Sequence, residues 1–422
     1  MTDRWREVWV TGLGPVTPIG IGCDAFWSSL HTGKLNVRAR ALPVDVARAV
    51  DLPLVSMLPA EEIPGMAGYA DTLATQRCAG CRDLGYALLA ARLALHDAGW
   101  EPDRLPARMG VVQAFEAPGI ERTVSALFEL LSTPPPPTGP GPVYDLLAPY
   151  FYAMQPFLYV HLMGKALGLH GLSTSVHNAC TSGLVALHVA AQGIRDGSAD
   201  AMLVVGGEAF ETAVRLEWFR RLDVYAMSGT MRPFDAEPLG FYVGEGAGAI
   251  LLEAADAAQG RGARPYAVYL GGSFAQQSAQ QTVPDLSAAR LAGVIGEALR
   301  NARVAARDVD LIVPHGAATT LCDAYEAKCL DQALGGQATD AVGTAFKPQV
   351  GHLLAASGVI DTVAALLAVR HSTVPPTLHT RPGHSVLPVP LAGELLTRPL
   401  NVLLKLSTGF TGHDAAVVFR RV

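Results

Sequence analysis

Val176-His177-Asn178-Ala179-Cys180-Thr181-Ser182-Gly183-Leu184-Val185-Ala186-Leu187-His188-Val189-Ala190 decides how this chain is read. Its first residues end an extended segment. From Gly183 onward the pattern is apolar nearly all round, which marks a buried helix. Cys180 therefore stands at a strand-to-helix junction, on the positive end of that helix. The helix dipole there favours the thiolate, which is the nucleophilic form of cysteine. Taken alone, the segment also fits an inert core cysteine.

Two further stretches favour chemistry. Val313-Pro314-His315-Gly316-Ala317-Ala318-Thr319-Thr320 follows a short apolar run and leads into Asp323-Ala324-Tyr325-Glu326-Ala327-Lys328. Phe346-Lys347-Pro348-Gln349-Val350-Gly351-His352-Leu353-Leu354-Ala355-Ala356-Ser357-Gly358 runs into an apolar helix over 359–369. Each histidine lies beside a glycine where a strand gives way. A helix-start cysteine with two such histidines is the Cys-His arrangement that thioester chemistry uses.

These three segments, in this order, resemble the β-ketoacyl-[acyl-carrier-protein] synthases, the elongating condensing enzymes of fatty-acid and polyketide synthesis. The likeness runs almost end to end. Val10-Thr11-Gly12-Leu13-Gly14 looks like the family's opening strand, and Arg232-Pro233-Phe234-Asp235 with Gly240-Phe241 its mid-chain signature. Gly409-Phe410-Thr411-Gly412 looks like its terminal glycine-rich loop.

The resemblance implies an α/β chain of the thiolase fold, a five-layer αβαβα sandwich. One half, 1–258, would carry the nucleophilic cysteine, and the other, 259–422, the two histidines, in one compact unit. Alternating apolar strands and helical patterns on both sides of the polar stretch 254–264 are consistent with two such halves.

By the same resemblance Cys180 is the nucleophile, and His315 and His352 assist decarboxylation and enolate formation. Lys347 holds His315 and pairs with Glu326. The amides of Cys180 and Phe410 form the oxyanion hole, with Phe410 also the gate to the acyl pocket. Thr282 and Thr319 bind the pantetheine arm of an acyl carrier protein. Arg220 and Arg221 are candidates for docking that carrier. No cofactor or metal is expected, since the substrates arrive on the carrier's phosphopantetheine. The assembly would be a homodimer, or a heterodimer with a ketosynthase-like partner, with 143–175 near that partner.

Bulk properties agree. The chain has 422 residues, 50% hydrophobic and 17% charged, enough for a large core. A net charge of −6 without a basic run disfavours nucleic-acid binding. The apolar run 359–369 is interrupted by Asp361 and too short to span a bilayer, and the first residues are not a secretory signal. A cytoplasmic location is expected. Six cysteines do not make a disulfide scaffold, and Cys78-Ala79-Gly80-Cys81 is a lone pair without zinc-finger spacing. Thr17 stands where a dinucleotide loop needs its third glycine, so Gly12 and Gly14 are not read as phosphate ligands. The proline tract 134–142 reads as an exposed stiff loop.

Several positions depart from the family pattern. Ala317 removes a threonine, Leu239 replaces an aspartate, and Thr411 replaces a glycine in a loop that must flex. His177 and Asn178 are bulky, and the aromatic-rich stretch Tyr150 to Tyr159 reads as core rather than pocket. Together these suggest a specialised pathway enzyme. A related acyltransferase or hydrolase that makes no carbon–carbon bond is an alternative. So is a chain-length-shaping partner subunit, although Cys180, His315, His352 and Lys347 are all present.

Overall fold

A computed structural model describes residues 5–57, 62–75, 78, 80–101, 104–132, 140–277 and 280–422. Its main sheet is best understood as two copies of one pattern. In the first half the strands run in the order Val8–Thr17, Gly246–Ala254, Ala201–Glu208, Met109–Ala114, Ser173–Val176. In the second the order is Ala267–Gln276, His413–Arg421, Val402–Gly409, Leu311–Val313, Val342–Gly343. Each half begins with two antiparallel pairings and ends with two parallel ones. The first strands of the halves also pair, Val8 with Tyr269, so the hydrogen-bonded path is continuous. Passage between the halves runs through the short helix Ala255–Gly260.

After the last strand of each half the chain enters a buried helix, Ser182–Arg195 in one and Ser357–His371 in the other. The helix Ser182–Arg195 packs against strands of both halves and against its counterpart, so the sheet path folds over the pair. Arg82–Asp97 covers the outer face of the first half, and Ala289–Ala302 that of the second. These are the five layers that the family resemblance implies.

The sequence explains this stacking. Strands Ala201–Glu208 and Gly246–Ala254 are buried along their whole length. They read as apolar runs because both faces are covered. The two central helices can touch because glycines face each other. A Cβ on Gly183 would stand 2.7 Å from the Val359 nitrogen, and one on Gly358 3.0 Å from that of Leu184. Gly12 and Gly14 serve packing too, since a Cβ at either would strike a backbone carbonyl of the covering helix.

Three expectations need correction. Pro140, Gly141 and Pro142 are not loop but the start of helix Pro140–Ala153, whose first-turn amides need no helical partner. The rest of the proline tract, 134–139, lies outside the described residues. The aromatic stretch is only partly core, since Tyr159 is buried while Phe151, Tyr152 and Phe157 are exposed. Finally, the helical segment Leu354–His371 is long and apolar enough to cross a membrane by composition, but 89% of it is buried between the sheets.

Candidate active site

Cys180 lies just past strand Ser173–Val176 and two residues ahead of helix Ser182–Arg195. The chain reverses sharply there. Ala179 is held at φ 48°, a conformation that costs a non-glycine residue energy. The Ser182 hydroxyl steadies the turn, accepting from the Asn178 amide at 2.8 Å and donating to the Ala179 carbonyl at 2.7 Å. Ser407 Oγ donates to the Cys180 carbonyl at 2.9 Å, tying the nucleophile to the other half's strand Val402–Gly409. At that strand's end, a Cβ on Gly409 would stand 3.2 Å from the Cys180 nitrogen. Gly409, the residue before Phe410, thus packs directly against the Cys180 amide.

The dipole expectation for Cys180 is corrected. Burial raises the thiol's pKa well above its usual value, and Glu116 adds to the shift. Lys347 and the residue's own amide pull the other way without prevailing. The resting group is the thiol, because desolvation of a buried anion outweighs the partial charge of the helix end.

His315 follows strand Leu311–Val313 and is fixed through its peptide groups. Glu326, on helix Thr320–Leu334, accepts the His315 amide at 2.6 Å and the Gly316 amide at 3.0 Å. Lys347 Nζ donates to the His315 carbonyl. Its ion-pair partner, however, is Asp361 Oδ2 at 2.9 Å rather than Glu326. Glu326 turns its oxygens to the backbone amides, whereas Asp361 reaches Lys347 from the buried helix Ser357–His371. Asp361 also takes a second ammonium, that of Lys405, at 3.0 Å.

His352 is held by Ser357, whose hydroxyl lies 2.7 Å from Nδ1, and by the edge of Phe241 at 5.0 Å between ring centres. With the serine donating to Nδ1, the proton of the neutral ring sits on Nε2. The two imidazoles stand 5.1 Å apart at 75°. Both have pKa values well below the usual histidine range, from burial first and then from Lys347. They are neutral, each with one N–H to give. The donor atoms of Cys180, His315 and His352 all fall within 4.8 Å of one another.

These three residues line a cavity of about 490 Å³. Thr282, Thr319 and Phe410 line it too, as does Leu239. Thr319 Oγ1 is buried at this cavity, beside Cys322. Phe410 packs edge-on to Trp218 at 5.2 Å and tilts against Phe219 at 6.1 Å. Thr411 next to it is held at φ 60° and donates its amide to the Gln281 carbonyl at 2.6 Å. Arg220 and Arg221 end the helix Val214–Arg221, both paired with Glu217, while Phe219 and Leu222 beside them line the cavity.

Sequence reasoning missed Lys405, Asp361 as a partner, Ser407 and Ser357. One signal was available: Lys405 is the single charge in the apolar run Val402–Leu406, and Asp361 the single charge in 357–369. A lone charge where every neighbour is apolar has to find a buried partner.

Comparison with known proteins agrees with this geometry. Residues 5–258 match the model of the β-ketoacyl synthase N-terminal domain, and 266–381 that of the C-terminal domain. A 3-oxoacyl-[acyl-carrier-protein] synthase 2 of Rhizobium meliloti is 30% identical, over 99% of each chain. A Streptomyces halstedii protein named as a polyketide β-ketoacyl synthase 1 is 31% identical, over 98% of this chain and 97% of its own. Among solved structures, a type II polyketide acyl-carrier protein in complex with its ketosynthase aligns at TM-score 0.83. The aligned chain is 26% identical, with 99% of this chain and all of that one covered. The chain belongs to the β-ketoacyl synthase family.

Proposed function

We propose that this protein is a β-ketoacyl-acyl-carrier-protein synthase that joins a Cys180-bound acyl group to a malonyl unit with loss of carbon dioxide. The observation that carries the reading is the convergence of one thiol and two neutral imidazoles, within 4.8 Å, in a cavity.

The acyl thioester of the carrier enters first. As Cys180 Sγ attacks its carbonyl carbon, an adjacent neutral imidazole takes the thiol proton. The new S–C bond forms, the oxyanion faces the Cys180 and Phe410 amides, and the pantetheine thiolate leaves and regains the proton. Removing one such oxyanion donor costs roughly a hundred- to a thousandfold in rate.

The malonyl thioester follows. Its C–CO₂ bond breaks, and the electron pair moves into an enolate whose oxygen accepts N–H bonds from His315 and His352. A charged imidazolium would be a stronger donor, yet burial disfavours it. Positioned groups of this kind contribute about 10² to 10⁴ in rate. The enolate carbon then attacks the acyl-Cys180 carbonyl. Collapse of the tetrahedral adduct gives a β-ketoacyl carrier and expels the Cys180 thiolate, which takes one proton from solvent to return to the thiol.

Thr319 and Thr282 are the hydroxyls for the pantetheine amides, and Arg220 and Arg221 the charges offered to an acidic carrier protein. No cofactor of the protein's own takes part. A second ketosynthase-like chain, identical or not, completes the assembly against the exposed aromatics Phe151, Tyr152 and Phe157. The pathway is polyketide or specialised fatty-acid synthesis, carried out in the cytoplasm.

Peptide mapping after exposure to an acyl carrier protein tests the first half-reaction. The acyl mass should appear on the Cys180 peptide and be lost in Cys180→Ala. An adduct elsewhere, or none, would overturn the assignment.

A further inference from the structure

Lys405 is a buried cation that the reaction just described does not use. It lies on strand Val402–Gly409, fully buried, two residues before Ser407. Its Nζ donates to the Pro314 carbonyl and to Asp361 Oδ2, each at 3.0 Å. Lys347 donates to the next carbonyl, that of His315, and to the same Asp361 oxygen at 2.9 Å. From the other side, Glu326 takes the amides of His315 and Gly316.

Two consecutive carbonyls and two consecutive amides around His315 are therefore each held by a charged side chain. Charge-assisted hydrogen bonds of this type are roughly twice as strong as neutral ones. Asp361 Oδ2 serves both ammoniums, and Oδ1 of the same carboxylate has no partner. One carboxylate oxygen thus bridges two lysines that come from different elements. Lys405 holds the Pro314 carbonyl and Lys347 that of His315.

We propose that Lys405 is a positioning residue for His315, the fourth arm of an ionic clamp that aims this imidazole at the malonyl thioester. The inference rests on the condensing reading for the use made of the imidazole, though not for the clamp itself. The groups facing Lys405 are Asp361 on helix Ser357–His371, Lys347 on the short helix Lys347–Val350, Glu326 on helix Thr320–Leu334, and the two histidines. Among them, burial lowers the Lys405 pKa to about 8, with Asp361 opposing that shift and Lys347 adding to it. The clamp should therefore weaken as pH rises through that value, when the ammonium becomes an amine.

The test compares wild type, Lys405→Met and Lys405→Arg. Carbon dioxide release from malonyl carrier protein should fall roughly 100-fold in kcat for Lys405→Met, the scale of a misaimed group. KM should stay unchanged, and Cys180 should still acylate stoichiometrically. Wild-type release should decline above pH 8, and Lys405→Arg, whose guanidinium does not titrate there, should remove that decline. Equal loss of acylation and release would mean a merely structural lysine and overturn the proposal, as would an unchanged kcat.

A readout without turnover separates this proposal from the functional one. The ¹⁵N titration of the His315 ring, assigned by difference against His315→Gln, should move upward in Lys405→Met. An unmoved titration overturns the clamp even if wild type condenses. A moved titration upholds it even if wild type releases no carbon dioxide, a result that would count against the condensing reading alone.

Discussion

At Cys180 burial and Glu116 raise the thiol's pKa, while Lys347 and the residue's own amide lower it. The thiol is thus kept protonated in the free site, with the imidazoles already within 4.8 Å to take its proton when it attacks a thioester. The imidazoles are shifted the opposite way, since the charged form is again the one burial disfavours. This gives a pH prediction. The active form of each ring is neutral, and each folded pKa lies below the ordinary value of about 6.5. Carbon dioxide release should therefore hold nearly constant from pH 7.5 down to 5.5. An unshifted histidine would lose roughly nine-tenths of its neutral form over that range. A stopped assay at fixed, saturating malonyl carrier checks it, and a tenfold fall would contradict the shifts.

Legibility was uneven at this scale. Cys180 and His315 could be found because each sits beside small residues just past a strand. His352 could be found because it lies between a glycine and an apolar helix, although the strand expected before it ends at Gly343 and the short helix Lys347–Val350 intervenes. The ion pair of Lys347 could not, because Asp361 and Glu326 are both carboxylates on nearby helices. Only the three-dimensional path decides which one faces the lysine.

At the scale of elements, the loop Gly409-Phe410-Thr411-Gly412 departs from the family pattern at Thr411. Thr411 occupies φ 60° with a β-branched side chain, where an L-residue pays about 1–2 kcal/mol. The loop is also fastened. Thr411 donates to the Gln281 carbonyl at 2.6 Å, and Gln277 donates its amide to the Gly412 carbonyl at 2.7 Å. Thr411→Gly relieves the strain but adds freedom to the unfolded chain, which costs roughly 0.5–1 kcal/mol. Stability should thus rise by no more than about 1.5 kcal/mol in denaturant unfolding. The loop itself should loosen, so iodoacetamide should modify Cys180 several-fold faster. A slower or equal rate would mean that the loop does not control access.

Elements were mostly legible before the structure. The central helices announce themselves by apolarity, whereas their close approach at Gly183 and Gly358 came only from the structure. The helix beginning at Pro140 was hidden, because prolines that forbid a helix interior are welcome in its first turn.

For the whole molecule, the two halves matter because each supplies part of one site. The cysteine comes after the last strand of the first half, both histidines from the second, and Ser407 joins the halves by bonding the Cys180 carbonyl. The twofold pattern was visible only as strand, reactive residue, small-residue helix, repeated once. Its pairing across Val8 and Tyr269 depends on contacts far apart in sequence. The exposed Phe151, Tyr152 and Phe157 were read as core for a related reason. An aromatic run reads the same from sequence whether it lies inside or on an exposed apolar face.

The most direct test of the account mixes the protein with acyl and malonyl carrier proteins and records the intact mass of the carriers. The account predicts a β-ketoacyl carrier extended by two carbons and one equivalent of carbon dioxide, both absent with Cys180→Ala. Acylated Cys180 with no extended carrier would contradict it, leaving a thiol that transfers acyl groups without joining them.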